Sequence, residues 1–563
     1  MKKVMRDLFL HYTLGHKAQF LMGSLYIIVL SLFSLPTPYL LKVLVDSVLP
    51  AKDMRLLNLI ILALVAIQVA RLGFSYLSNY YFGLFNQEVL TRIKKDLFRR
   101  LLRLPLSFFD QHQSGYLLSR VNEVEGLSLF FSNTTVRLAL SVLEFLFSLV
   151  ILFALNWELT LIALGILPLL YVATKHYSGT IRRLSREVME KGAVVSSRVQ
   201  ETLSGVEVVK VFNSEERETS RLHSLLDDLK QVNIRSTVKM TISSELLGLI
   251  GAFGGYVILW YSGWDIIRGG FTLGSYIAFS GYLARLYGPT QMLASAGLIF
   301  QPAFSALDRY RELMEASGEE DKDGGRRVDK LQGEIVFKDV YFSYDGTRPV
   351  FEGLNFRIGA GEKVLITGPN GSGKSTLMKL ILGLYHPQQG QIMIDEYNIK
   401  ELSLPSLRER ISVVSQNVFL FNDTIWNNIL YSRPEATEAE VRQAAELSGA
   451  TEFIEKLDGG YDTMVGEIGK KLSGGEKQKI AIARAILREA DVLIFDEATV
   501  HLDRESEERI RRLINDYFRD KTSLIISHKK WDISGIDRII ELEKGRIIRQ
   551  EHADGSSRCE SRA

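Results

Sequence analysis

Six apolar segments dominate the first 315 residues of this 563-residue chain, centred on 20–45, 57–82, 132–155, 159–178, 242–264 and 272–298. A helix needs roughly 20 apolar residues to cross the hydrocarbon core of a bilayer, where only helices and closed barrels satisfy their own backbone hydrogen bonds. Residues 18–316 are therefore expected to form a transmembrane domain of six helices, and an even number of crossings returns the chain to its starting side. Lysine and arginine indicate which side that is. The stretch 84–130 holds Arg92, Lys94, Lys95, Arg99, Arg100, Arg103 and Arg120, and 179–241 is equally rich, whereas the connections 48–56, 156–158 and 265–270 hold few. Connections rich in these cations stay cytoplasmic, which places the long stretches and the N-terminus on that side. The long stretches have little glycine or proline and repeat apolar residues at helical spacing, as in Val89, Ile93, Leu97 and Leu101. Helices 2 to 5 are thus expected to continue well into the cytosol. Residues 1–17 carry charges and a modest apolar face, which reads as an amphipathic interfacial helix and not as a signal peptide.

Composition changes beyond residue 316. Residues 317–330 are charged, contain glycine and lack apolar runs, the composition of a mobile linker. Residues 331–551 hold apolar runs only of strand length, and 552–563 form a polar tail. A net charge of +2 provides no basic field for nucleic acid, and the single cysteine, Cys559, excludes an intrachain disulfide.

The soluble part carries phosphate chemistry. The strand Lys363–Thr367 leads into Gly368, Pro369, Asn370, Gly371, Ser372, Gly373, Lys374, Ser375 and Thr376, then into an apolar helical run. Strand, glycine-rich loop and helix in that order form the Walker A context. The glycines let backbone N–H groups close around phosphate oxygens, Lys374 reaches the outer phosphates, and Ser375 can ligate Mg²⁺. Downstream, Asp491–Glu497 is an apolar strand ending in two carboxylates. Asp496 would hold the metal's water shell and Glu497 would polarise an attacking water as general base, so ATP and Mg²⁺ are the expected cofactors.

Between these motifs lies Lys471-Leu-Ser-Gly-Gly-Glu-Lys-Gln478. It resembles the signature of the ATP-binding cassette (ABC) family, and the order of the other motifs resembles that family too. The resemblance implies that Ser473, Gly474, Gly475 and Glu476 cap a helix that meets the γ-phosphate held by a second subunit. It implies that Tyr344 stacks on adenine, that Gln416 contacts metal and water, and that His528 is a switch at the γ-phosphate. Glu476 stands where glutamine is usual, and Val500 and His501 depart from the usual loop before Asp503. Residues 108–120 and 201–215 resemble the coupling segments of exporters, so the similarity spans about residues 5–550.

The architecture implied is an α-helical six-crossing domain with long cytosolic extensions, followed by an α/β P-loop ATPase domain of RecA-like core plus α-helical signature subdomain, spanning 331–551. Function would need a dimer, either with a second copy or with a related half-transporter. The implied activity is ATP-driven export or flipping of an amphipathic lipid, peptide or drug by alternating access, in the inner (plasma) membrane with the ATPase domain cytoplasmic. The other reading is an ATP-gated regulator or channel on the same scaffold. Charges at membrane depth are costly and default to functional roles, which singles out Arg71, Glu144 and Arg285. They either pair with one another or face a cavity that favours an anionic head group.

Overall fold

The structure, a computed structural model, describes residues 11–112, 114–316, 318, 325–498, 504–527 and 535–552. The chain divides into two compact units, Met1–Arg99 with Gly115–Glu315 and Arg100–Ser114 with Ala316–Ala563.

The first unit is helical. Among the described residues five helical stretches are long and apolar enough to cross a membrane: Lys17–Ala51, Met54–Leu101, Arg120–Leu155, Trp157–Ser204 and Glu215–Ile267. The sixth expected crossing is the helix Leu273–Ile299, which does not reach that apolarity. Its position explains the difference. Ala278, Phe279, Tyr282, Leu283 and Leu286 are buried in one cluster with Leu152, Leu159, Ala163 and Ile258 of neighbouring helices. A helix packed among helices faces less lipid and tolerates Gly274, Ser275, Ser280 and Arg285.

Long extensions are present in three helices, Met54–Leu101 and Trp157–Ser204 of 48 residues each and Glu215–Ile267 of 53. At 1.5 Å per residue such helices reach roughly 70–80 Å, over twice the hydrocarbon thickness. The third crossing departs from the expected continuous helix. A 3₁₀ stretch, Val124–Phe131, separates the helices Ser114–Glu123 and Asn133–Leu155. Close packing accounts for it: a Cβ on Gly126 would lie 2.9 Å from the carbonyl oxygen of Pro302, and Phe130 stacks on Phe300. Of the expected N-terminal helix, residues 1–10 lie outside the described residues, and Tyr12 is buried, donating its hydroxyl to Asp96 at 3.0 Å.

The second unit holds two sheets. β1 (Ile335–Ser343), β2 (Pro349–Ile358), β4 (Gln389–Ile394) and β5 (Tyr397–Asn398) form an antiparallel sheet in the order β2-β1-β4-β5. The other sheet has the order β10-β9-β3-β8-β7-β6. Its strands β3 (Lys363–Thr367), β6 (Ile411–Val414), β7 (Val492–Asp496), β8 (Thr522–Ile526) and β9 (Arg538–Glu543) run parallel, and β10 (Arg546–His552) closes one edge antiparallel. β7 and β8 are buried along their whole length, as strands covered on both faces must be. Helices Glu438–Leu447 and Gly474–Arg488 pack into a separate cluster with Leu420, Ile425 and Ile429. Half-buried Arg484 pins this helical part by donating to the carbonyl oxygens of Phe419 at 2.8 Å and Asn428 at 2.5 Å.

Part of the expected mobile linker is held in place. Arg326 exchanges backbone hydrogen bonds with Glu401 and Ser403, and its guanidinium lies 4.3 Å from the Tyr397 ring centroid. A planar cation stacked on an aromatic face is charged without being free, which composition alone does not reveal. Residues 317 and 319–324 lie outside the described residues.

At the start of the sixth helix, Asp46 accepts from the Gly274 N–H at 2.8 Å and from the Thr272 hydroxyl at 2.6 Å. A Cβ on Gly274 would lie 2.6 Å from both the Asp46 carboxylate and the Lys42 carbonyl oxygen. Gly274→Ala is expected to destabilise the helical unit by about 1–3 kcal/mol, read as a lowered thermal midpoint in lipid nanodiscs.

Candidate functional site

β3 ends at Thr367, and the chain turns sharply into the glycine-rich loop. Gly368 has φ +148°, and a Cβ there would stand 2.0 Å from the Leu542 carbonyl oxygen. Gly373 has φ +106°, and a Cβ there would strike the Phe351 ring at 2.6 Å. Only glycine serves at both places, and the turn delivers the first N–H groups of helix Lys374–Ile381 to the mouth of the loop. Inside the loop Lys374 donates to the carbonyl oxygens of Gly368 at 2.8 Å and Pro369 at 3.0 Å. Burial pulls its ammonium below the ordinary value, while the carboxylates of Glu497 and Asp496 act to raise it. The buried Ser372 hydroxyl has no partner within the protein. A phosphate fits these donors: helix N–H groups, an ammonium and an orphaned hydroxyl face one small volume.

Parallel pairing of β7 and β8 beside β3 brings the acidic end of β7 to this loop. The Ser375 hydroxyl donates to Asp496 Oδ2 at 3.3 Å, the hard-oxygen pairing that suits Mg²⁺. Glu497 occupies the left-handed region at φ +49°, with its N–H held by the Ile526 carbonyl oxygen at 2.9 Å. A non-glycine residue held there costs on the order of 1–3 kcal/mol, strain typical of a functional turn. Its carboxylate accepts from Gln416 Nε2 at 2.5 Å, so three loops meet through side chains.

Tyr344 closes one flank, its hydroxyl 3.1 Å from the Thr376 hydroxyl and its ring edge-to-face with Phe342 and Tyr385. Asn370 and Gly371 are exposed at the loop tip. Ser473 caps helix Gly474–Arg488 in a capping box: its hydroxyl accepts from the Glu476 N–H at 3.3 Å, and the Glu476 carboxylate accepts from the Ser473 N–H at 2.7 Å. Among the described residues no hydrogen bond or ion pair joins Ser473, Gly474, Gly475 or Glu476 to Gly368–Thr376 of the same chain. His528, Val500, His501 and Asp503 lie outside the described residues.

In the helical unit a cavity of about 330 Å³ is lined by Ser31, Ser34, Arg71, Arg137 and Glu144 among others. Glu144 accepts from the Ser31 hydroxyl at 2.6 Å, and among the described residues it forms no ion pair with an arginine. Arg71 donates to Gln68 at 3.3 Å, and its buried Nε has no partner. Arg285 donates to Ser34 of the cavity wall at 2.7 Å. Sequence reasoning missed Arg137, although a cation inside the apolar segment 132–155 carries the same signal as Arg71.

The described family models agree with this division. The model for the ABC transporter transmembrane region matches residues 20–290, and the ABC transporter model matches residues 351–500. The ATP-dependent lipid A-core flippase of Desulfotalea psychrophila is 33% identical over 551 residues, 98% of this chain and 96% of the relative. The flippase of the same description in Syntrophus aciditrophicus is 30% identical over 95% of this chain and 89% of the relative. A solved bacterial Atm1-family ABC exporter with ATP bound superimposes with a TM-score of 0.84 at 27% identity, covering 95% of each chain.

The loop geometry generates a prediction. Gly368→Ala is expected to abolish nucleotide binding, measured by equilibrium titration with a fluorescent ATP analogue, because a side chain at that φ cannot clear the Leu542 carbonyl oxygen.

Proposed function

The chain belongs to the ABC transporter family, as an exporter half-transporter with ATPase activity coupled to transport, and we propose that its cargo is a lipid with an anionic head group. The observation that carries this is the cavity in the helical unit, which bears two cations, Arg71 and Arg137, against one carboxylate, Glu144, among the hydroxyls of Ser31, Ser34 and Ser141. Cations at membrane depth are retained where they meet a partner, and Arg71 keeps a buried Nε without one. The flippase relatives act on lipid A-core, a description consistent with such a cargo.

In this reading the domains run 18–316 for the membrane region and 331–551 for the ATPase, with two copies forming the transporter. A homodimer is the simplest assembly, because Lys374, Gln416, Ser473, Asp496, Glu497 and His528 are all present, and a related half-transporter is the other. In this reading the second copy supplies Ser473, Gly474, Gly475 and Glu476, which among the described residues make no hydrogen bond or ion pair with the loop of their own chain. The protein is multi-pass, and we place it in the inner membrane with its N-terminus and ATPase domain cytoplasmic, following the distribution of cations.

The chemistry then falls to named groups. Loop N–H groups and Lys374 would hold the outer phosphates of ATP, and Ser375, Asp496 and Gln416 would hold Mg²⁺, which would supply charge neutralisation at the transferred phosphoryl group. Glu497, fixed by Gln416 and by its own backbone, takes the proton of the attacking water. His528 stands as the group addressing the γ-phosphate, by resemblance, and Tyr344 as the surface for the base.

Glu497→Gln is expected to lower ATP turnover by roughly 10²–10⁴-fold while ATP binding persists. Turnover unchanged in that variant removes Glu497 from the role of base. Arg71→Ala and Arg285→Ala are each expected to reduce stimulation of ATPase by anionic lipid in nanodiscs by about fivefold or more. Full stimulation in both overturns the anionic cargo.

A further inference from the structure

Three charged side chains line the cavity of the helical unit, and among the described residues no ion pair joins any two of them. Arg71 stands on helix Met54–Leu101, while Arg137 and Glu144 stand on helix Asn133–Leu155. Residues 137 and 144 lie two helical turns apart, so they share one face and are offset by roughly 10 Å along the axis. The neighbouring hydroxyls leave the carboxylate short of donors. Ser34 donates to the Ser31 carbonyl oxygen and Ser141 to that of Leu138, each at 2.6 Å. Among the described residues Ser31 alone donates to Glu144. A carboxylate offers about four acceptor positions, so most of its capacity faces the cavity. At membrane depth an uncompensated carboxylate is costly, and a guest that brings a cation to it relieves that cost.

We propose that Glu144 makes the cavity selective for lipid head groups that carry an ammonium beside their anionic groups: Arg71 and Arg137 take the anionic groups, and Glu144 takes the ammonium. Such selectivity rests on the cavity being the site of an anionic lipid cargo. Charge sets the composition of the head group. Two cations against one carboxylate leave one net positive charge, which two anionic groups and one ammonium meet group by group. Spacing sets its size. The offset of roughly 10 Å suits a phosphate and an amine joined by a short spacer, with a charge-assisted hydrogen bond of about 2.8 Å at each end. A primary ammonium donates up to three hydrogen bonds, whereas a trimethylammonium donates none and a hydroxyl brings no charge. Glu144 also works by exclusion. A head group of equal net charge without the ammonium sets its own anionic groups against a half-buried carboxylate, and like charge opposes it.

Phosphatidylserine and phosphatidylglycerol carry the same net charge, and only the first has an ammonium. The full chain is reconstituted in phosphatidylcholine nanodiscs doped with one or the other, and the lipid fraction that half-maximally stimulates ATPase is read for each. That fraction is expected to be at least about fivefold lower for phosphatidylserine. In Glu144→Gln, which keeps the shape and an acceptor for Ser31, the two fractions come within about twofold of each other. N-acetylated phosphatidylserine, which has lost the ammonium, requires at least about fivefold more lipid than phosphatidylserine in the unaltered chain, an arm that depends on no variant. Equal fractions for the first two lipids in the unaltered chain, a preference that survives in Glu144→Gln, or full potency of the acetylated lipid overturns the role of Glu144 and leaves the anionic cargo standing. Stimulation by neither phosphatidylserine nor phosphatidylglycerol overturns the anionic cargo itself, and the role of Glu144 with it.

Discussion

Within a bilayer no water is available to satisfy a peptide group, and this requirement shapes the helical unit of the chain. It forces every crossing to be helical, and once a helix exists its cheapest continuation is more helix. The helices of 48 and 53 residues follow from that constraint, with Pro168 accommodated inside one of them. Such helices are stiff over their length, so the helical unit is built from rods. The second unit is governed by a different requirement, that a buried ammonium be compensated. Lys374 is satisfied by two carbonyl oxygens of its own loop, and the loop's conformation is possible only because Gly368 and Gly373 lack side chains.

The parts of this arrangement that sequence conveys are those where chemistry and spacing coincide. The loop Gly368–Thr376, the acidic end of β7 and the signature at Ser473 are legible because each needs particular residue types at particular offsets. Contacts between distant segments are not legible in that way. Nothing at Gln416 or Glu497 announces their hydrogen bond, since it depends on the register that sets β6 beside β7. The 3₁₀ stretch Val124–Phe131 was hidden for a similar reason, because tertiary packing of Gly126 against Pro302 overrides local helical preference.

The sixth crossing shows where hydropathy weakens as a signal. Hydropathy reports how much a segment would gain from leaving water, and it weakens where a helix is enclosed by other helices. The helix Leu273–Ile299 spends its apolar residues on protein neighbours and places Arg285 against Ser34. The charges at membrane depth were legible as exceptional, but their partners were not. Both Glu144 and Arg285 turn to serine, a residue that hydropathy treats as neutral.

That choice of partner has a kinetic consequence. An ion pair in a low-dielectric setting is a trap, since separating it leaves two bare charges and raises a barrier of several kcal/mol. A charge held by a hydroxyl can exchange that hydroxyl for water or another neutral donor with little net change in free energy. Ser31 and Ser34 therefore join their helices to those of Glu144 and Arg285 by bonds that re-form as easily as they part, where an ion pair would hold them fast.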